Sequence, residues 1–160
     1  VSEPWGDPVT LAAVSGTEVH AWPTDPDAGW SPLAVWRGED LAAVVLARLR
    51  RDGGIACDLA CFHREDGRWW PAAAVGGTVI DPAGPGHGGP VSWFFHQTVT
   101  VGEEETEVHA RLGIAAPGVA EVVSDDGEVF PVRPHTRLLL VTGRRPLVAR
   151  DGAGQGLGPV

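Results

Sequence analysis

The chain has 160 residues, a hydrophobic fraction of 43% and a formal net charge of −9. That length supports one domain with a sizeable core, and a mean hydropathy of −0.01 marks a globular, soluble chain. The acidic balance excludes a nucleic-acid partner, which needs a basic surface, and no 18-residue apolar segment exists, so no membrane insertion is expected.

Residues 1–10 are punctuated by Pro and Gly and read as loose. Residues 9–14 and 17–22 are strand-like around Ser15 and Gly16, which gives a first hairpin. Residues 23–32 hold three prolines, two aspartates and a glycine, which is turn chemistry. Trp5, Trp22, Trp30 and Trp36 read as core or lid packing. The sharper reading is an aromatic platform for a sugar or a proline-rich peptide.

Residues 39–51 predict the one helix. Leu41, Val44, Val45 and Leu49 recur at helical spacing. Glu39 and Asp40 open the segment and Arg48, Arg50 and Arg51 close it, an order that suits a helix dipole.

Residues 55–75, IACDLACFHREDGRWWPAAAV, predict a hairpin turning at Asp66 and Gly67. A type I′ turn needs positive φ at both centres, which Asp tolerates and Gly adopts freely. The register then sets His63 opposite Trp70, Arg64 opposite Trp69 and Cys61 opposite Ala72. Alternation puts Ile55, Cys57, Leu59, Cys61, His63, Trp70, Ala72 and Ala74 on a buried face. Asp58, Ala60, Phe62, Arg64, Trp69, Pro71 and Val75 fall on the other, which reads as surface. Cys57 and Cys61 lie about 13 Å apart along a strand, beyond disulfide reach, and are expected buried and reduced. Cys57, Cys61 and His63 would need a turn and a further ligand to hold zinc.

Residues 76–90 read as loop. The run 84–90, GPGHGGP, lacks the helix that a phosphate loop requires after it, so His87 is expected in solvent at the tip of an excursion. Val91–Val101 and Thr106–Ala115 form a second hairpin. Trp93, Phe95, Val99 and Val101 share one face with Val108, Ala110, Leu112 and Ile114. The reverse face gathers His96, Thr98 and Thr100 with Glu107, His109 and Arg111, as in a sheet with one wet side. Two histidines and a carboxylate there suit metal binding or acid–base work. The plainer reading is a solvated face with cross-strand polar pairs.

Residues 119–124 and 128–133 form a third hairpin around Asp126 and Gly127, with Val119, Val123, Phe130 and Val132 inside. Pro131 cannot donate to a ladder, so its strand is an edge or carries a bulge. Residues 137–142, RLLLVT, read as a last buried strand. Beyond Arg150 the glycine-rich DGAGQGLGPV reads as a disordered tail. None of the five serines sits in Gly-x-Ser-x-Gly, and neither His-Glu-x-x-His nor a P-loop occurs.

The runs CFHREDGRWW and GIAAPGVAEVVSDDGEVFPV resemble a loose group of uncharacterised proteins from high-GC actinobacteria. There a DGRW-type hairpin precedes a segment of the form P-x-V-x-x-V, then Asp-Gly, then Val. All 12 basic residues are arginine, in keeping with GC-rich coding. The resemblance covers about half the chain and carries over no catalytic residue. Some members look like parts of membrane-attached or secreted proteins, so it implies an extracytoplasmic option. No signal peptide is visible. The chain opens on Val1, as a trimmed sequence, a GTG start or a removed leader would. The expected location is cytoplasmic, or extracytoplasmic if a leader has been removed.

The expectation is one β-rich domain over residues 1–150: an antiparallel sandwich or partly open barrel of about eight strands with one packed helix. The expected function is a non-enzymatic binding or protein-interaction domain using exposed aromatic residues. Phe62, Arg64, Trp69, His96, His109 and Arg111 are the candidate contacts with a protein partner, a small molecule or a second copy. No catalytic residue, metal or cofactor is assigned. The alternative is a small β-barrel enzyme or ligand-binding protein with a Trp- and His-lined pocket. Trp69 divides the outcomes: an interface or groove residue, or core beneath residues 1–36.

Overall fold

The computed structural model describes residues 8–83, 89–101 and 103–160. Trp5, His87 and the reading of residues 1–7 lie outside them. The described residues form α1 (Pro8–Ser15), β1 (Ser31–Arg37), β2 (Leu41–Leu49), β3 (Ile55–Glu65), β4 (Arg68–Ile80), β5 (Val91–Val101), β6 (Thr106–Ala115), β7 (Glu121–Ser124), β8 (Val129–Pro131), β9 (Leu138–Thr142), β10 (Leu147–Arg150) and β11 (Gly156–Pro159). Sheet A has the order β1-β2-β3-β4, sheet B β5-β6-β9 and sheet C β11-β10-β7-β8. Sheets A and B approach along both pairs of edges, β4 beside β5 and β1 beside β9, and enclose the main core. The architecture is mostly β with one packed helix, as expected, with eleven strands among the described residues where about eight were predicted. No helix among the described residues is long and apolar enough to cross a membrane.

The segment expected to be the helix is strand β2. Its residues alternate between two cores: Ala43, Val45 and Ala47 face the core between sheets A and B, while Ala42, Val44 and Leu46 face a second core. A fully buried Val or Leu contributes about 1.5–3 kcal/mol, whereas helix preferences among such residues differ by under about 1 kcal/mol each. Burial on both faces therefore decides, and a continuous apolar run cannot be told from a buried helix by periodicity. The arginines at its end compensate no helix dipole. Arg48 stacks over Trp30 at 5.0 Å, Arg50 meets Asp52 at 2.8 Å and Arg51 meets Asp27 at 3.3 Å.

The helix lies instead in residues expected to be loose and strand-like. Pro8 opens α1, where a missing N–H costs nothing. Gly16 ends it in the left-handed region, with φ of 69° and its N–H bonded to the Ala12 carbonyl at 2.8 Å. Ala12 and Ala13 pack onto the outer face of sheet A with Phe62 and Trp69. The face of the β3–β4 hairpin expected to be surface is thus a core. Phe62 is 2% exposed and Trp69 5%, while Trp70, expected inside, is 38% exposed.

The hairpin turns as the sequence predicts, with positive φ at both Asp66 and Gly67. His63 pairs with Trp70 and Arg64 with Trp69. Two bulges then shift β4, so Cys61 meets Ala73 rather than Ala72. At the second bulge the Asp58 carboxylate accepts the Gly77 N–H at 3.3 Å, and it fills the place where a Cβ on Gly76 would stand. With that correction β4 runs to Ile80, into the expected loop.

Sheet C packs on the outer face of β9, whose Leu139 and Val141 join Val122, Phe130, Leu147 and Ala149 in a further core. Pro131 lies on edge strand β8, as its missing donor requires. The last ten residues are ordered: β11 pairs with β10, and Asp151 Oδ1 accepts the N–H groups of Ala153 and Gln155 at the intervening turn.

Residues 17–22, expected to be a strand, run irregularly beside β1. They hold Glu18, whose Oε1 accepts from Val35 N at 2.7 Å and from Arg133 Nη2 at 2.9 Å. Arg133 Nη2 also donates to the Val35 carbonyl. Burial alone would raise the Glu18 pKa, but the Arg133 hydrogen bonds and charge, Val35 and His20 together bring it below the ordinary 4.5.

Two outcomes follow from this packing. Trp69→Ala empties an aromatic site beneath α1 and should cost about 3–5 kcal/mol in chemical denaturation. A shift below about 1 kcal/mol would contradict its core placement. Because the folded Glu18 pKa is depressed, its stabilisation is present above the unfolded value and is lost as pH falls through the folded one. Glu18→Gln keeps an acceptor oxygen but removes the charge that balances buried Arg133, so it should cost about 3 kcal/mol at neutral pH. The same series should show a shallower loss of stability on acidification below 4.5 than the parent shows.

Candidate functional site

The β5–β6 hairpin spans the residues the sequence predicts, and its wet face is the one place where several candidate side chains converge. Val99, Val101, Val108, Ala110 and Leu112 point into the main core. On the outer face His96 pairs with Arg111, Thr98 with His109 and Thr100 with Glu107. A bulge at Phe94 breaks the alternation between Trp93 and Phe95. Trp93 is therefore not on the inner face, as predicted, but outside with Arg111.

Gly113 makes that placement possible. Trp93 pairs with Gly113, and a Cβ there would lie 2.7 Å from Val91 Cγ1, 2.9 Å from the Ser92 carbonyl oxygen and 3.0 Å from the indole. The indole occupies the space of the missing side chain. The Arg111 guanidinium lies over the ring, 4.8 Å from its centroid, a contact worth about 0.5–1 kcal/mol near the surface. Desolvation lowers the Arg111 pKa. No hydrogen bond or carboxylate meets this guanidinium among the described residues.

The β9–β10 connection supplies the other wall. Gly143 takes a φ of 86°, and its N–H donates to the His109 carbonyl at 2.9 Å, which fixes the turn over β6. Arg144 Nε donates to His109 Nδ1 at 3.1 Å, with Thr98 Oγ1 2.9 Å from the same nitrogen. Nε2 therefore carries the imidazole hydrogen and faces Glu107 at 3.3 Å. Arg145 bridges Asp126, at 2.6 Å, and Glu128. Hydrogen bonds from Ser124 and Arg145 bring the Asp126 pKa down to about 2, and the same pairing raises that of Arg145. Between these walls lies an open cleft of about 330 Å³, with His96, Arg111, Arg144 and Arg145 as its polar side chains and Pro146 and Val160 beside them.

The structure thus brings together His96, His109 and Arg111. Phe62 and Trp69 are in the core under α1 and are not available as exposed contacts. Arg64 is exposed at the far end of sheet A, on a hollow of about 750 Å³ shared with Asp40, His63, Glu65, Glu103 and Glu104. Sequence reasoning missed Trp93, Arg144 and Arg145. The Gly-Arg-Arg-Pro run after a buried strand was a legible sign of a charged turn, whereas the bulge that turns Trp93 outward left no sign. Cys57 and Cys61 are free and buried, as expected. Burial, with the charge of Asp58, pushes the Cys57 thiol up to about 12, and burial pushes Cys61 up to about 11. No group of three or more His, Cys, Asp or Glu side chains among the described residues is placed to hold a metal ion.

A separate hollow of about 540 Å³ is lined by Trp22, Ser92, His135 and Arg137, among others. His135 and Arg137 both have left-handed backbone, with φ of 65° and 61°. Arg137 Nη2 donates to the carbonyls of Ala116 and Val119, while its Nε is buried without a partner.

Gly113→Ala should displace the indole and break the Arg111 stack, because the Ser92 carbonyl leaves little room for backbone adjustment. The expected cost is about 1–3 kcal/mol, with a shifted Trp93 indole N–H resonance. An unchanged resonance and stability would contradict the close approach. No family model matches the chain, and neither a curated protein nor a solved structure matches it.

Proposed function

We propose that this chain is a non-enzymatic binding domain whose recognition surface is the outer face of β5–β6 where it meets the β9–β10 connection. The observation that carries this reading is Arg111, a partly buried guanidinium stacked on Trp93 with no acceptor among the described residues, beside His96 on an open cleft. Tryptophan and arginine are enriched among the residues that anchor interfaces, and both Arg111 and its strand partner His96 line the open cleft. The aromatic anchor is Trp93 in place of Phe62 and Trp69. His109 is held at both ring nitrogens, which suits positioning better than proton transfer. The raised thiol pKa values make both cysteines poor nucleophiles at neutral pH.

A second reading, a small-molecule-binding protein with a Trp- and His-lined pocket, is supported by the hollow at Trp22 and His135. Left-handed backbone at non-glycine residues costs about 1–3 kcal/mol and concentrates at ligand sites.

Nuclear magnetic resonance screening of the isotope-labelled chain against peptide and fragment libraries separates the two. The expected hits shift the Trp93 indole and the amides around His96, Arg111 and Arg144. Hits confined to Trp22 and His135 would transfer the function to the second hollow, and hits at neither would remove both readings.

A further inference from the structure

Resting on that reading of the β5–β6 face, we propose that the cleft between β6 and the β9–β10 connection binds an oxyanion: a phosphate or carboxylate group carried by a small organic molecule. Three of the chain's 12 arginines line this one cleft, and no carboxylate side chain lines it. In a chain of net charge −9, such a concentration of guanidinium groups needs a local reason.

The three arginines are not equivalent. Arg145 is committed to Asp126 and Glu128, so its charge is balanced and its side chain is a fixed wall. Arg144 spends Nε on His109, and its terminal nitrogens meet no acceptor among the described residues. Arg111 donates no hydrogen bond among the described residues and lies over the Trp93 ring. A guanidinium presents five N–H donors in a planar fork, and that fork matches the oxygen spacing of carboxylate and phosphate. Stacking on Trp93 orients the Arg111 fork but supplies it with no acceptor. An oxyanion would supply one, and its charge would offset the desolvation that lowers the Arg111 pKa. His96, across the strand pair from Arg111, adds a ring nitrogen that can donate to the same group.

Size and surroundings narrow the ligand. The cleft of about 330 Å³ sits at the small end of the range of roughly 300–1,000 Å³ for ligand pockets. Pro146 offers an apolar wall beside the charged one, which suits an anion attached to a short carbon skeleton. Arg68, at the β3–β4 turn, meets no carboxylate among the described residues. It is exposed and lines neither this cleft nor the hollow at Arg64, so it serves as the control for unspecific attraction.

The test is titration of the full chain with phenyl phosphate and, separately, with benzoate, following the Trp93 indole N–H and the arginine Nε–H resonances. At least one probe should give saturable shifts at Trp93, Arg111 and Arg144, and the tighter of the two identifies the oxyanion. Arg111→Gln and Arg144→Gln should each weaken binding roughly tenfold, the loss expected for one charge-assisted contact. Arg68→Gln should change nothing. If Arg111→Gln lowers the melting temperature, the exposed Arg144→Gln carries the comparison. Absence of saturable shifts with both probes overturns the inference. So does the same response to sodium chloride at matched ionic strength, or an equal loss from Arg68→Gln. Should both probes fail while library ligands still map to Trp93 and Arg144, the oxyanion alone is lost and the recognition surface stands.

Discussion

Two strands, β2 and β9, are apolar on both faces, and the rest of the molecule answers the need to cover them. A strand buried on one side needs one partner layer. A strand buried on both needs two. Sheets A and B cover the inner faces by closing on each other. The outer faces then require separate covers. Helix α1 supplies one, over Ala42, Val44 and Leu46, and sheet C supplies the other, over Leu139 and Val141. Each cover is small, and each would be unstable alone. A helix of eight residues is below the length that persists in water, and a sheet of short strands needs an apolar face to rest on.

The limits of the second cover locate the candidate site. Sheet C extends over β9 and over the Val91 and Ala115 end of the β5–β6 hairpin. The remaining outer face of that hairpin stays uncovered and polar. Trp93 packs at the margin of the covered core, half in contact with it and half under Arg111. The β9–β10 connection must pass from sheet B to sheet C at this margin, and it carries Arg144 and Arg145 across the hairpin's polar face. The cleft is therefore a consequence of incomplete cover: one layer ends, a connection crosses, and charged side chains from both meet.

Arg133 and Arg145 hold irregular parts of the chain in place by pairing with carboxylates. Glu18 and Arg133 close the gap between residues 17–22, β1 and the segment after β8 with one shared set of hydrogen bonds. A buried pair of this kind adds little net stability compared with apolar packing, but losing one partner is expensive, so it fixes where the irregular segment lies. Arg145 with Asp126 and Glu128 performs the same role between β7, β8 and the turn after β9. Arg111 has no such partner among the described residues.

The sequence by itself determined the antiparallel class, three hairpins and one doubly buried strand. Its information there is local: Asp66 and Gly67 demand a type I′ turn, residues 91–101 and 106–115 alternate with period two, and Pro131 forbids a central strand. It also placed His96, His109 and Arg111 on one face, since alternation holds over that stretch of the hairpin. What only the tertiary structure decided is what covers what. Residues 39–51 fit a helix by spacing, and burial on two sides made them a strand. Residues 8–15 looked like loop and strand, and docking on sheet A made them a helix. Phe62 and Trp69 share a face with Arg64, which reads as surface until α1 lies over it. Trp93 changed faces through a single bulge, and Arg144 reached His109 through a connection between sheets. Those are choices among conformations of similar local energy, and contacts between residues far apart in the chain make them.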